Sequence, residues 1–380
     1  MNLLHKQMKN NKIWLSSPHL TGEEQKYVKE AFDTNWIAPL GPNVNGFEKE
    51  ICNYTGANHC SVLVSGTSAI HLGLIILGVK QDDEVLCSSF TFSASANPIR
   101  YQKAIPVFID SERDTFNMCP ISLETAIKDR ISKGKKPKAI IVVHLYGMPS
   151  KMNEIIEISK KYDIPVLEDA AEAIGSTYNE NHMGTMTEIG IYSFNGNKII
   201  TTSGGGALVS NNEEYTKKAT FLATQARDNA PHYQHSEIGY NYRMSNIVAG
   251  IGRGQLEVLD DRVKARRANY EFYKKELANI KQITFTDEPE GFYSNRWLTT
   301  ILTDSFETRE KIRLYLEKDN IEARPLWKPM HLQPIFKEYP AYVNGVSEDL
   351  FKRGLCLPSG SNLTKEDLKR VVESFKDALS

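Results

Sequence analysis

No CxxC pair occurs in this sequence. Its five cysteines, Cys52, Cys60, Cys87, Cys119 and Cys356, are odd in number. Neither a metal-binding cluster nor a disulfide framework is therefore indicated, no metal is expected, and a reducing compartment, the cytoplasm, suits the chain. Charge of one sign is also missing: 46 basic residues face 47 acidic ones, for a net charge of −1. Bulk charge thus offers nothing to a nucleic acid or to a membrane surface. No apolar run reaches the eighteen or so residues of a membrane span. The opening MNLLHKQMKNNK is polar and basic without an apolar centre, unlike a secretory signal, and residues 1–12 are expected to form a loose arm. There is no internal repeat and no low-complexity tract. What remains is a chain of 380 residues, long enough for two domains and a large core.

Its organising stretch runs from Glu168 to Ser210. The apolar run IPVLED ends in Asp169, and a second, IGIYSF, leads through NGN to Lys198 and then to Gly204, Gly205 and Gly206. Length, β-branched content and flanking turn residues make both runs strands. An acid at one strand end and an amine just past another are thereby offered to one crevice, since open α/β sheets bind ligands beyond the carboxyl ends of their strands. Most lysines are solvated surface charges. Lys198 stands apart through Asp169, placed to keep a pyridine nitrogen protonated, and through Ser193 and the glycine turn, small groups suited to an anion. A Schiff-base lysine with an acid on the pyridine nitrogen is the protein's share of pyridoxal phosphate (PLP) chemistry.

The rest of the chain supports an α/β frame. TGEEQKYVKEAFDT reads as a helix with a Thr21–Glu24 capping box, and NWIAPLGPNVNGFEKEI as a loop, broken by Pro39, Gly41 and Pro42, that leads into a second helix. HCSVLVS is a strand followed by the helix GTSAIHLGLIILG, which puts Gly66, Thr67 and Ser68 in a strand-to-helix turn. Such a turn favours a phosphate, although a plain N-cap by Thr67 or Ser68 is the commoner use. EVLCSS, AIPVFID and AIIVVHLYG are further strands alternating with helices, which implies a mostly parallel sheet covered on both faces. Residues 1–258 are expected to form this large domain and 259–380 a smaller α/β one. A long helix from about Asp260 opens the latter, with apolar Val263, Tyr270, Tyr273 and Leu277 and a solvated basic surface elsewhere. Arg324, Trp327 and His331 follow, on a segment that Pro325, Pro329 and Pro334 keep from being helical.

The ordered motifs SSPHLTGEE, EDAAEAIGS, GIYSFNGNKIITTSGGG, GYNYR and LCLPSG resemble those of the DegT/DnrJ/EryC1/StrS sugar aminotransferases, fold-type I PLP enzymes, over nearly the whole chain. Within that family the likeness is closest to the bacillosamine-type enzymes, which aminate C4 of a UDP-linked 4-keto-6-deoxy-N-acetylhexosamine. The resemblance implies a homodimer and an amino group taken from glutamate. It implies that Lys198 carries the PLP, that Asp169 meets its ring nitrogen, and that Gly66, Thr67 and Ser68 with Ser193 hold its phosphate. It also implies that Phe92 stacks on the ring and that Asn241 reaches the phosphate of the neighbouring subunit's cofactor. Glu172 stands where many relatives carry Gln or His near the 3′-oxygen, and TTSGGG replaces the common TTGEGG. Arg243, Arg324 and His331 are the groups expected near the diphosphate of a nucleotide sugar. A GDP-perosamine-type or 3-keto sugar is the alternative acceptor. The lysine argues against the dehydratase branch, where a histidine replaces it.

Overall fold

The computed structural model describes residues 11–380, so most of the expected arm lies outside the described residues. Eight strands form one sheet, in the spatial order 59–63, 206–210, 189–193, 166–169, 139–143, 84–88, 105–109 and 341–342. All are parallel except Gly206–Ser210, which runs against both neighbours. The five central strands, from Ile189–Ser193 to Ile105–Ile109, are apolar on both faces and nearly all buried, as helices packed on both sides require. Two apolar clusters lie on either side of the sheet. One contains Phe47, Phe90 and Tyr192, the other Leu72, Phe108 and Ile141.

A second sheet of four antiparallel strands, ordered 283–285, 299–303, 354–357 and 324–325, follows the helix Leu259–Glu276. The chain is not cut cleanly at 258/259, however. Ala341–Tyr342 returns to the edge of the large sheet and pairs with Phe108 and Ile109. At the other end Ile13 bridges to Ile321. Both contacts cross the expected boundary.

Several local expectations need adjustment. Pro42, taken as a breaker, starts the helix Pro42–Thr55, because the missing N–H of proline costs nothing in a first turn. The capping box at Thr21 forms by half. The Glu24 carboxylate accepts from the Thr21 and Gly22 amides at 2.9 and 2.8 Å, but the Thr21 hydroxyl accepts from Glu23, so the helix begins at Glu24. The helix Gly66–Ile76 is capped by neither Thr67 nor Ser68 but by Ser65, whose hydroxyl accepts from the Ser68 amide at 3.0 Å. The long helix Leu259–Glu276 buries Val263, Tyr270 and Tyr273 as expected, yet its basic residues are not all solvated, for Arg266 is 1% exposed.

Candidate active site

A cavity of about 610 Å³ opens beyond the carboxyl ends of the central strands. Asp169, the last residue of its strand, lies at the inner end. Its Oδ2 accepts from the Ser95 hydroxyl at 2.6 Å and its Oδ1 from the Ala171 amide at 3.2 Å. Neighbouring strand residues face opposite ways, so Glu168 turns from the cavity. It accepts from the Gly184 and Met186 amides and from Thr187, and pairs with buried His144 at 3.1 Å. The other ring nitrogen of His144 accepts from the Ser150 amide, so the proton stays on the nitrogen facing Glu168.

Ser65, Gly66 and Thr67 lie elsewhere on the wall, where the helix Gly66–Ile76 begins. The first amides of a helix precede its hydrogen-bond ladder and carry the positive end of its dipole. Gly206 passes so close behind that a Cβ there would stand 2.4 Å from the Gly66 nitrogen. Only glycine allows this approach. Ser193 and Gly205 complete that side.

Lys198 sits in the loop between the antiparallel strands Ile189–Ser193 and Gly206–Ser210. Bonds from Phe194 N to Gly205 O and from Thr202 N to Phe194 O clasp the loop. Its Nζ lies 3.2 Å from Glu172 Oε1 and 4.2 Å from the centre of the Trp297 ring. The other Glu172 oxygen accepts from the Tyr146 amide at 2.7 Å. Phe92, Trp327 and Trp297 form an aromatic wall, with Phe92 and Trp327 5.6 Å apart.

Burial raises the pKa of two of the carboxylates that line the cavity, Asp169 and Glu172. Asp169 is held up by desolvation, against the opposing pull of Ser95. Glu172 is pushed up to about 7 by desolvation, although Lys198 and the Tyr146 amide favour its charge. The folded value of Glu172 lies above the ordinary 4.5, so the native state keeps a proton that the unfolded chain has released. Cofactor-free protein should lose stability as pH rises from 4.5 through about 7. Glu172→Gln should flatten that part of the profile by on the order of 2 kcal/mol. Urea denaturation at pH 5 and pH 8 measures this, and an unchanged slope would exclude Glu172 as its source.

Of the residues singled out from sequence, the fold brings Gly66, Thr67, Phe92, Asp169, Glu172, Ser193, Lys198 and Arg324 to this one cavity. It does not bring Ser68, whose buried hydroxyl bonds to Ser65 at 2.8 Å. Asn241 is exposed and outside the lining, in a bridge with Thr224. Arg243 is also outside the lining of its own chain's cavity: its guanidinium is tied to Glu48 at 2.5 Å and to the Val62 carbonyl, beside the strand His59–Leu63. His331 is likewise held away, between Ser89 at 2.6 Å and Glu348 at 3.2 Å. Each had a strong local partner that sequence spacing could not display. Sequence reasoning missed Ser95, Trp297 and Asn197. Serine and asparagine are too common to signal a site, while tryptophan, of which the chain has only four, deserved more weight.

The fold and this constellation define a PLP-dependent enzyme of the α/β class, and the residues fit the cofactor. The buried Asp169 carboxylate forms no ion pair among the described residues and so lacks the cation that a protonated ring nitrogen would supply. The Gly66–Gly206 cradle leaves backbone amides for a phosphate. The chain belongs to the DegT/DnrJ/EryC1/StrS aminotransferase family, whose pattern it matches over residues 18–376. It is 54% identical over 368 residues to EpsN of Bacillus subtilis, provisionally named a PLP-dependent aminotransferase, covering 96% of this chain and 95% of that one. It is 37% identical to the GDP-perosamine synthase of Escherichia coli O157:H7, covering 96% and 97%. Among solved structures, Spr1654 of Streptococcus pneumoniae, in its PLP form and provisionally named a sugar aminotransferase, matches with a TM-score of 0.89. The identity is 27%, over 97% of this chain and 98% of that one.

When bound, PLP supplies a protonated ring that accepts electrons released at the substrate carbon. The other parts belong to the protein. Asp169 would hold the ring-nitrogen proton, the start of the helix at Gly66 would hold the phosphate, and the Lys198 amine would carry the cofactor and move a proton at the reacting carbon.

Proposed function

We propose that this aminotransferase moves the amino group of glutamate to the C4 keto carbon of a UDP-linked 4-keto-6-deoxy-N-acetylhexosamine, giving the 4-amino sugar. The observation that carries the reading is the path from Lys198 to the cavity mouth. It passes the aromatic faces of Trp327 and Phe92, suited to the apolar face of a sugar ring, and reaches Arg324, whose side chain is 69% exposed. Arg324 pairs with Glu322 at 2.7 Å, an exposed contact of little strength that a diphosphate could replace with a two-pronged one. The 37% identity to a GDP-perosamine synthase favours a second reading, a GDP-linked 4-keto sugar. Product masses from UDP- and GDP-linked keto-sugars incubated with glutamate separate the two. Amination of the GDP sugar alone would replace the first reading by the second.

Arg324→Ala should raise KM for the nucleotide sugar about tenfold or more, as loss of a charged phosphate contact does. The half-reaction with glutamate, followed by loss of the cofactor's visible band, should stay near normal. Damage confined to that half-reaction would move Arg324 to the donor's carboxylate.

The site is completed by a second copy of the chain, whose Asn241 reaches the cofactor phosphate. Support comes from the exposure of Asn241 and its position outside the cavity of its own chain. Chains carrying Lys198→Ala and Asn241→Ala, each defective alone, should regain activity when mixed, because one of the two shared sites is then intact. Heterodimers without recovery would rule out sharing. Five free thiols suit the cytoplasm. Among the described residues no helix is long and apolar enough to cross a membrane.

A further inference from the structure

Arg266 is the largest fully buried side chain whose charge is left uncompensated: it forms no ion pair among the described residues. The face it occupies is set by spacing. Val263, Arg266, Tyr270, Tyr273 and Leu277 recur at three and four residues, so Arg266 lies in the buried stripe of its helix. A guanidinium there is costly to bury, and an apolar residue of similar volume would cost less. What the apolar residue could not do is donate twice from one rigid plane.

Both donations go to residues that themselves hold the loop that carries Lys198. One Arg266 amino group donates to the Trp297 carbonyl at 2.5 Å, the other to the Ser16 hydroxyl at 3.0 Å. Ser16 donates in turn to the Asn197 carbonyl at 2.7 Å, and the Trp297 indole N–H donates to the same carbonyl at 2.8 Å. The four groups close a ring: one arginine holds both donors that hold one carbonyl. That carbonyl belongs to the peptide joining Asn197 to Lys198. The Trp297 ring also lies under the Lys198 amine. Three stretches far apart in sequence, around Ser16, Asn197 and Trp297, thus meet at one carbonyl, and this arginine braces both of its donors.

We propose that Arg266 is a positioning residue of the aminotransferase. Acting through Ser16 and Trp297, it fixes the plane of the Asn197–Lys198 peptide, and hence the direction from which the Lys198 amine enters the cavity. A carbonyl with both lone pairs bound cannot turn without breaking two hydrogen bonds, and charge on the guanidinium strengthens the chain of donors behind it. The inference rests on Lys198 as the PLP-bearing lysine and is independent of the sugar acted upon.

The test follows capture of PLP by full-length protein stripped of cofactor, read as the rate at which the lysine-dependent visible band appears. In the parent protein, failure to form the band would refute the role of Lys198 itself, a separate result. Arg266→Met and Ser16→Ala should each lower the saturating capture rate about tenfold or more, since small misplacements of a reacting group have effects of that size. The PLP concentration giving half that rate should stay within about twofold, because the phosphate and ring-nitrogen contacts are untouched. The double variant should be no slower than Arg266→Met alone, as expected for groups acting through one carbonyl. Trp297→Phe, which keeps a ring under Lys198 but loses the N–H, should resemble Ser16→Ala. These two variants decide the matter if Arg266→Met does not fold. Parent-like capture by both Ser16→Ala and Trp297→Phe, or additive losses in the double variant, would overturn the proposal and leave Arg266 as packing.

Discussion

Lys198→Ala will abolish turnover, lowering kcat by on the order of 10³-fold or more, as loss of a covalent catalytic group does. The chain should still fold and still take up PLP. Three observations lie behind this expectation. The amine is held at the cavity wall by Glu172 and the Trp297 ring. Its loop is clasped from both ends by backbone bonds that do not involve the side chain. The groups suited to the cofactor's two ends, Asp169 and the start of the helix at Gly66, do not depend on the lysine. The loss should therefore be chemical rather than structural. The variant should lack the visible band of the lysine linkage while retaining PLP through a gel-filtration column. Near-normal turnover would remove Lys198 from the mechanism.

Asp169→Asn should lower the rate by about two to four orders of magnitude with little change in fold, because an amide cannot hold the ring nitrogen protonated as a carboxylate can. The carboxylate is well supported for that task. Ser95 and the Ala171 amide orient it, and burial leaves it short of a partner cation. Removing a buried charge that is unpaired without cofactor should not destabilise the empty protein and can stabilise it. The two measurements together are diagnostic: activity falls steeply while the thermal midpoint of cofactor-free protein holds or rises. A variant with nearly full activity would assign the ring nitrogen to another group. A collapsed midpoint would make Asp169 a structural residue first.

Much of the frame was legible because its causes are local. Strand length, β-branched runs and turn residues placed the strands from His59 to Asp169 within a residue or two. Pro42 was misread because proline stops a helix or starts one depending on what precedes it, here Gly41 with a φ of 143°. The pairing of an acid at a strand end with a lysine past the next strand was also legible, since both lie on one continuous stretch. The fates of the remaining charges were not. Arg243, Arg324 and His331 looked alike as candidates for a phosphate, but only Arg324 reaches the cavity.

The sequence by itself determined the order of strands and helices, the place of Asp169 at a strand end and of Lys198 past the next strand, and the family. Each rests on contacts between residues close along the chain or on motifs read in order. The tertiary structure alone decided which charges are spent on the scaffold: Glu48 meets Arg243 from 195 residues away, Glu348 meets His331, and Arg266 turns inward to Ser16 across 250 residues. The physical reason is that a charged side chain leaves water only where folding brings it a partner, and such partners arrive by chain crossings that no local pattern records.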